Sequence, residues 1–87
     1  MSFTPKTPVS VSLSFDVSTG KVIPTKLMYR GSAYLVEKLG FHHYFREGRT
    51  LYHVFSVTSG KVFFRLVLNT DNLNWVLEEV YDAELNE

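Results

Sequence analysis

Seven consecutive residues, Val9-Ser10-Val11-Ser12-Leu13-Ser14-Phe15, alternate apolar and polar without a break. A period of two belongs to an extended strand with one buried face, because a helix would scatter the same apolar residues around its surface. The serines at 10, 12 and 14 mark a face that meets water or a polar partner. Asp16-Val17-Ser18-Thr19-Gly20-Lys21 then reads as a turn, with Gly20 free to take a positive φ.

The rest of the chain reads as further short strands divided by turn signals. Residues 22–29 are mostly apolar. Pro24 has no N–H for a ladder and belongs at an edge, a bulge or a strand start. Arg30-Gly31 separates this segment from Ser32-Ala33-Tyr34-Leu35-Val36 and marks a hairpin. Phe41-His42-His43-Tyr44-Phe45 and Leu51-Tyr52-His53-Val54-Phe55 flank a turn at residues 46–50. Ser59-Gly60, between β-branched and aromatic runs at 52–57 and 62–68, is the strongest hairpin signal.

A two-residue Ser59-Gly60 turn sets Val57 opposite Val62, Phe55 opposite Phe64 and His53 opposite Leu66. One face then carries Phe55, Val57, Val62, Phe64, Leu66 and Leu68, and is the better core face. The other carries Tyr52, Val54, Ser56, Phe63, Arg65 and Val67, is half apolar, and is expected to be partly covered.

The C-terminal segment fits two periods. Trp75, Leu77 and Tyr81 suit a strand; Leu73, Val76, Leu77, Val80 and Tyr81 suit a helix capped by Asp71. The turn-like Asn69-Thr70-Asp71-Asn72 favours the strand. The expected fold is a single all-β domain over residues 1–87: an antiparallel meander of five to seven strands, forming a curled sheet or small open barrel. It becomes α+β if residues 73–85 are helical.

At 87 residues the core is modest, and with no cysteine there is no disulfide, thiolate metal site or thiol nucleophile. The N-terminus lacks an apolar run of signal-peptide length, and no segment approaches the roughly 20 apolar residues of a membrane span. A soluble, cytoplasmic protein with no membrane partner is expected. Net charge is zero but unevenly laid out. Residues before Leu66 carry all nine Lys and Arg and three acids, a net of +6; those from Leu66 onward carry six acids and no base. The halves either neutralise one another across neighbouring strands or leave a basic surface with an acidic tail.

No constellation points to catalysis. The serines are strand or turn residues outside any G-x-S-x-G elbow, adjacent Glu78 and Glu79 point apart on a strand, and there is no phosphate-binding glycine loop. The chain is expected not to be an enzyme and to need no cofactor. If Glu47-Gly48 is a two-residue turn, His42 faces His53, but His43 points away and no third ligand is at hand, so no metal is expected either. Basic residues interleaved with aromatics make a candidate ligand or single-strand nucleic-acid surface: Tyr29, Arg30, His43, Tyr44, Phe45, Arg46, Arg49, Tyr52 and Arg65.

Lys26-Leu27-Met28-Tyr29-Arg30-Gly31-Ser32-Ala33-Tyr34-Leu35-Val36, Phe63-Phe64-Arg65-Leu66 and Asn74-Trp75-Val76-Leu77-Glu78-Glu79-Val80-Tyr81-Asp82 together carry a resemblance. The chain resembles, over about residues 22–82, a bacterial family of small β domains of unknown function. Its pattern is aromatic-Arg-Gly then Tyr-x-Val, later Phe/Tyr-x-Leu, and finally Trp-x-Leu-Glu-x-Val-Tyr-Asp. Members occur alone or as C-terminal appendages of proteins related to Y-family translesion DNA polymerases. This chain departs from the pattern at Phe41-His42-His43-Tyr44, where the family has Trp-rich stretches, and in the alternating segment at 9–15. The resemblance implies a β domain and a DNA-repair neighbourhood, and it supplies no catalytic residues. The expected function is a non-catalytic binding or accessory domain with a protein partner, monomeric or weakly dimeric through an edge strand such as residues 9–15; the alternative is a nucleic-acid-binding accessory domain.

Overall fold

Turn chemistry sets the strand pairing. In a computed structural model, which describes residues 2–3 and 6–82, the strands are β1 (Ser2–Phe3), β2 (Thr7–Pro8), β3 (Ser10–Asp16), β4 (Lys21–Tyr29), β5 (Ser32–Leu35), β6 (Lys38–Glu47), β7 (Thr50–Ser59), β8 (Val62–Asn69) and β9 (Asn74–Asp82). Ser59 pairs with Val62, so the β7–β8 loop is Gly60-Lys61 rather than Ser59-Gly60. Gly60 stands first in the loop with φ +60°, a conformation that strains residues bearing a Cβ. The pairing moves by two residues, to Phe55 opposite Leu66, Val57 opposite Phe64 and His53 opposite Leu68. An even slip leaves every side chain on its face. The β6–β7 loop moves likewise to Gly48-Arg49, with Tyr44 rather than His42 opposite His53.

Among the described residues all pairing is antiparallel, no barrel closes, and the strands form two sheets. The larger runs β1-β9-β8-β7-β6, with β2 also on β9; the smaller runs β3-β4-β5. The chain changes sheet at Val9, whose N–H donates to the Trp75 carbonyl before β3 begins. It changes back at Val36-Glu37, whose N–H groups donate to Thr25 of β4 and Thr58 of β7. The smaller sheet therefore lies over one face of the larger. No helix among the described residues is long and apolar enough to cross a membrane.

The C-terminal segment is strand, and a bulge explains its double period. Leu66 pairs with Leu77 but Arg65 with Glu79, so Glu78 is an extra residue. Leu77 and Val80 both reach the core at a spacing of three, which imitates one face of a helix. A second bulge, at Thr25, brings Pro24 and Leu27 to one face, in a place that Pro tolerates. A third lies at Gly40, between Leu39 and Phe41.

The core joins Leu27 and Tyr29 of β4 to Phe55, Val57, Phe64, Leu66, Leu77 and Val80 of the larger sheet. Fully buried side chains of this kind contribute roughly 1.5–3 kcal/mol each. The opposite face of the larger sheet carries no second layer among the described residues. Val54 at its centre is nonetheless buried, shielded by its in-sheet neighbours, while Tyr52, Phe63 and Val67 stay half-buried. On this outer face Arg65 and Glu79 are ladder partners joined by a 2.8 Å ion pair, so here the basic and acidic halves do meet across strands. Of the six acids after Leu66, Glu84 and Glu87 lie outside the described residues.

Candidate functional site

The two sheets are unequal in reach, and that opens a cleft. Near Val57 and Phe64 the strands β4 and β5 roof the inner face of the larger sheet. Toward the β6–β7 turn only the β3–β4 hairpin extends over it. Between them lies a cleft of about 510 Å³, within the range usual for small-molecule sites. Its hairpin wall is Gly20, Lys21, Val22 and Ile23; its floor is Leu39 and His42 of β6, His53 and Phe55 of β7, Leu68 of β8 and Thr70 just after it.

Local chemistry shapes each wall. At the hairpin tip the Asp16 carboxylate accepts hydrogen bonds from the Ser18 amide (3.0 Å) and hydroxyl (2.7 Å), and Gly20, at φ +71°, returns its N–H to the Asp16 carbonyl. The two Ser18 bonds to the carboxylate hold the Asp16 pKa below its ordinary value. On the floor the His42 ring stacks on Phe55, with centroids 4.2 Å apart and planes 11° from parallel. His42 Nε2 and His53 Nδ1 are 2.8 Å apart, so one ring's N–H donates to the other's bare nitrogen. Partial burial, then the neighbouring imidazoles of His53 and His43, push the His42 pKa down. The Thr70 hydroxyl is committed to the Leu51 carbonyl. The cleft thus offers a flat aromatic floor with imidazole edges, and among the described residues Lys21 is the one cationic residue on its lining. The two imidazoles are the nearest approach to a metal site, and no group of three or more metal-ligating side chains forms among the described residues.

The structure disperses the residues that the sequence grouped. Tyr29 is buried in the core, so its ring is not open for stacking. Arg30 sits in the β4–β5 turn with its guanidinium 5.3 Å from the Tyr29 ring centre, beside a hollow of about 170 Å³ at the far end of the sandwich from the cleft. His43, Phe45, Tyr52 and Arg65 share the outer face, where Phe45 stacks on Tyr52 at 5.0 Å. Tyr44 and Arg46 pair with His53 and Leu51 and so share the inner face, near the cleft; Arg49 is in the β6–β7 turn. The sequence signal for the cleft was the His42 and His53 pair. The hairpin wall gave none, because Lys21, Val22 and Ile23 read as ordinary strand residues.

No protein-family model, curated protein or solved structure matches the chain. Fold and site define a two-sheet antiparallel β domain with an apolar cleft between its layers.

Proposed function

We propose that the chain is a non-catalytic binding domain whose ligand occupies the cleft under the β3–β4 hairpin. The observation that carries this is the floor of His42 stacked on Phe55 beneath an apolar hairpin wall. An aromatic floor with few polar groups selects a flat apolar body, and Lys21 at the wall favours an anionic substituent. The ligand class is therefore a planar aromatic carboxylate, or a protein segment presenting such a group.

Titration with 2-naphthoate, followed by amide NMR shifts, tests the reading. Binding is expected at about millimolar strength, as suits so small a probe. Shifts should concentrate at Leu39, His42, His53, Phe55 and Leu68 and spare Arg30 and Tyr34. Absence of shifts at these residues, or equal shifts at the far end, would refute it. The nucleic-acid alternative draws on residues that the fold separates: His43, Tyr52 and Arg65 on the outer face, Tyr44 and Arg46 on the inner face, Arg49 in a turn and Arg30 at the far end, with Arg65 already ion-paired. That leaves few cations for phosphate, and a single-stranded oligonucleotide is expected to bind weakly and with a shallow salt dependence.

A further inference from the structure

The larger sheet protects one edge and leaves the other bare. Along β9 the chain lays down two short strands, β1 and β2, and the Val9 N–H donates to the Trp75 carbonyl between the strand pairs. Short, interrupted cover of this kind blunts an edge against pairing. At the opposite edge β6 runs for ten residues and, among the described residues, pairs only with β7. It contains no proline, and the seven residues from Leu39 to Phe45 carry no formal charge with His neutral. Phe41, Tyr44 and Phe45 are 60%, 68% and 43% exposed on this strand.

We propose that β6 is a self-association edge, joining a second copy antiparallel about a two-fold axis centred on His43. An axis normal to the sheet keeps both faces continuous, so residues opposite one another must come from the same face. Centring on His43 satisfies this along the whole strand. Phe41 falls opposite Phe45 of the second copy on the outer face, and His42 opposite Tyr44 on the inner. The extra residue at Gly40 then brings Leu39 opposite Arg46 and Lys38 opposite Glu47. Each relationship occurs twice by symmetry, giving two cross-strand ion pairs and two phenylalanine pairs.

The adjacent registers lack this match. A two-residue slip one way sets Lys38 against Phe45, and the other way sets it against Arg49. The free edge at β3 lacks it too, because its only charge is Asp16 at one end. In the His43-centred dimer, Tyr44 of the second copy stands beside His42, so the partner also borders the cleft.

Sedimentation equilibrium over a range of concentrations, on the intact chain, tests the proposal. The native protein is expected to dimerise with a dissociation constant of tens of micromolar, as suits a small edge interface. Glu47→Lys sets two lysine pairs in opposition and should raise that constant at least about tenfold. The double exchange Lys38→Glu with Glu47→Lys restores opposite charges and should return it to near the native value. Both positions are exposed, and unchanged melting of the dilute monomers will show that the fold survives. A native mass that stays monomeric at about 200 µM overturns the proposal. So does a dimer indifferent to Glu47→Lys, or one that the double exchange does not restore.

Discussion

His42 and His53 hold their ring nitrogens 2.8 Å apart although they are not ladder partners. Tyr44 stands opposite His53 and Phe55 opposite His42, so the imidazoles meet on the diagonal of one face. The contact follows from parity, since residues two apart on neighbouring strands still share a face. It leads directly to a pH dependence. Burial and the facing imidazoles keep the folded-state pKa of His42 below the usual 6.5. As pH falls, the unfolded chain takes up that proton first. Stability from this group is therefore complete above about pH 6.5 and is lost as pH drops through the lower folded-state value. The melting temperature should fall between about pH 7 and pH 5, and His42→Asn should flatten that slope.

Tyr29 is buried with its hydroxyl lacking a hydrogen-bond partner among the described residues. A buried hydroxyl without a partner adds nothing to folding and carries a desolvation cost. Tyr29→Phe should leave the melting temperature unchanged or raise it, whereas Tyr29→Ala should cost about 3–5 kcal/mol through the cavity left beside Phe64. A clear loss on Tyr29→Phe in denaturant titration would contradict this account.

Leu73 closes the β8–β9 turn at φ +61°, with its N–H donating to the Asn69 carbonyl at 2.7 Å, and its side chain is exposed. A left-handed backbone costs a residue with a Cβ roughly 1–2 kcal/mol. Leu73→Gly relieves that strain but loosens the unfolded chain. The net expectation is a gain of a few tenths to about 1 kcal/mol, read from the denaturant midpoint.

Glu78 is the surplus residue of the β9 bulge, and its removal leaves Leu77 opposite Leu66, Glu79 opposite Arg65 and Val80 opposite Phe64. Deleting Glu78 should therefore yield a folded protein with a straighter β9. Deleting Val67 from the middle of β8 should not, because it reverses the faces of half a strand that has no bulge to absorb the change. Far-UV circular dichroism and melting of the two deletions will separate them.

The alternation at 9–15, the turn glycines and the apolar faces of β7 and β8 were legible because each is a local property with a period of two. Both hairpin loops lie one residue further along than composition suggests, yet the faces held, since that displacement changes the pairing by two. The C-terminal strand was harder to read. Its bulge spaces Leu77 and Val80 like helical neighbours, and only pairing with Phe64 and Leu66 distinguishes the two. The candidate ligand surface was read from composition, and the fold distributes its members among the core, both faces, a turn and the far end.

The sequence by itself determined the alternating strand at 9–15, the hairpin strands at 52–57 and 62–68 and which of their side chains share a face, because these depend on residues a few places apart. Tertiary structure decided the division into two sheets, the bulges at Thr25, Gly40 and Glu78, and the cleft. A cleft exists where one layer outruns another, and that depends on how two sheets overlap. No run of residues encodes that overlap locally, and the His42 and His53 pair acquires its place under the β3–β4 hairpin only when the layers stack.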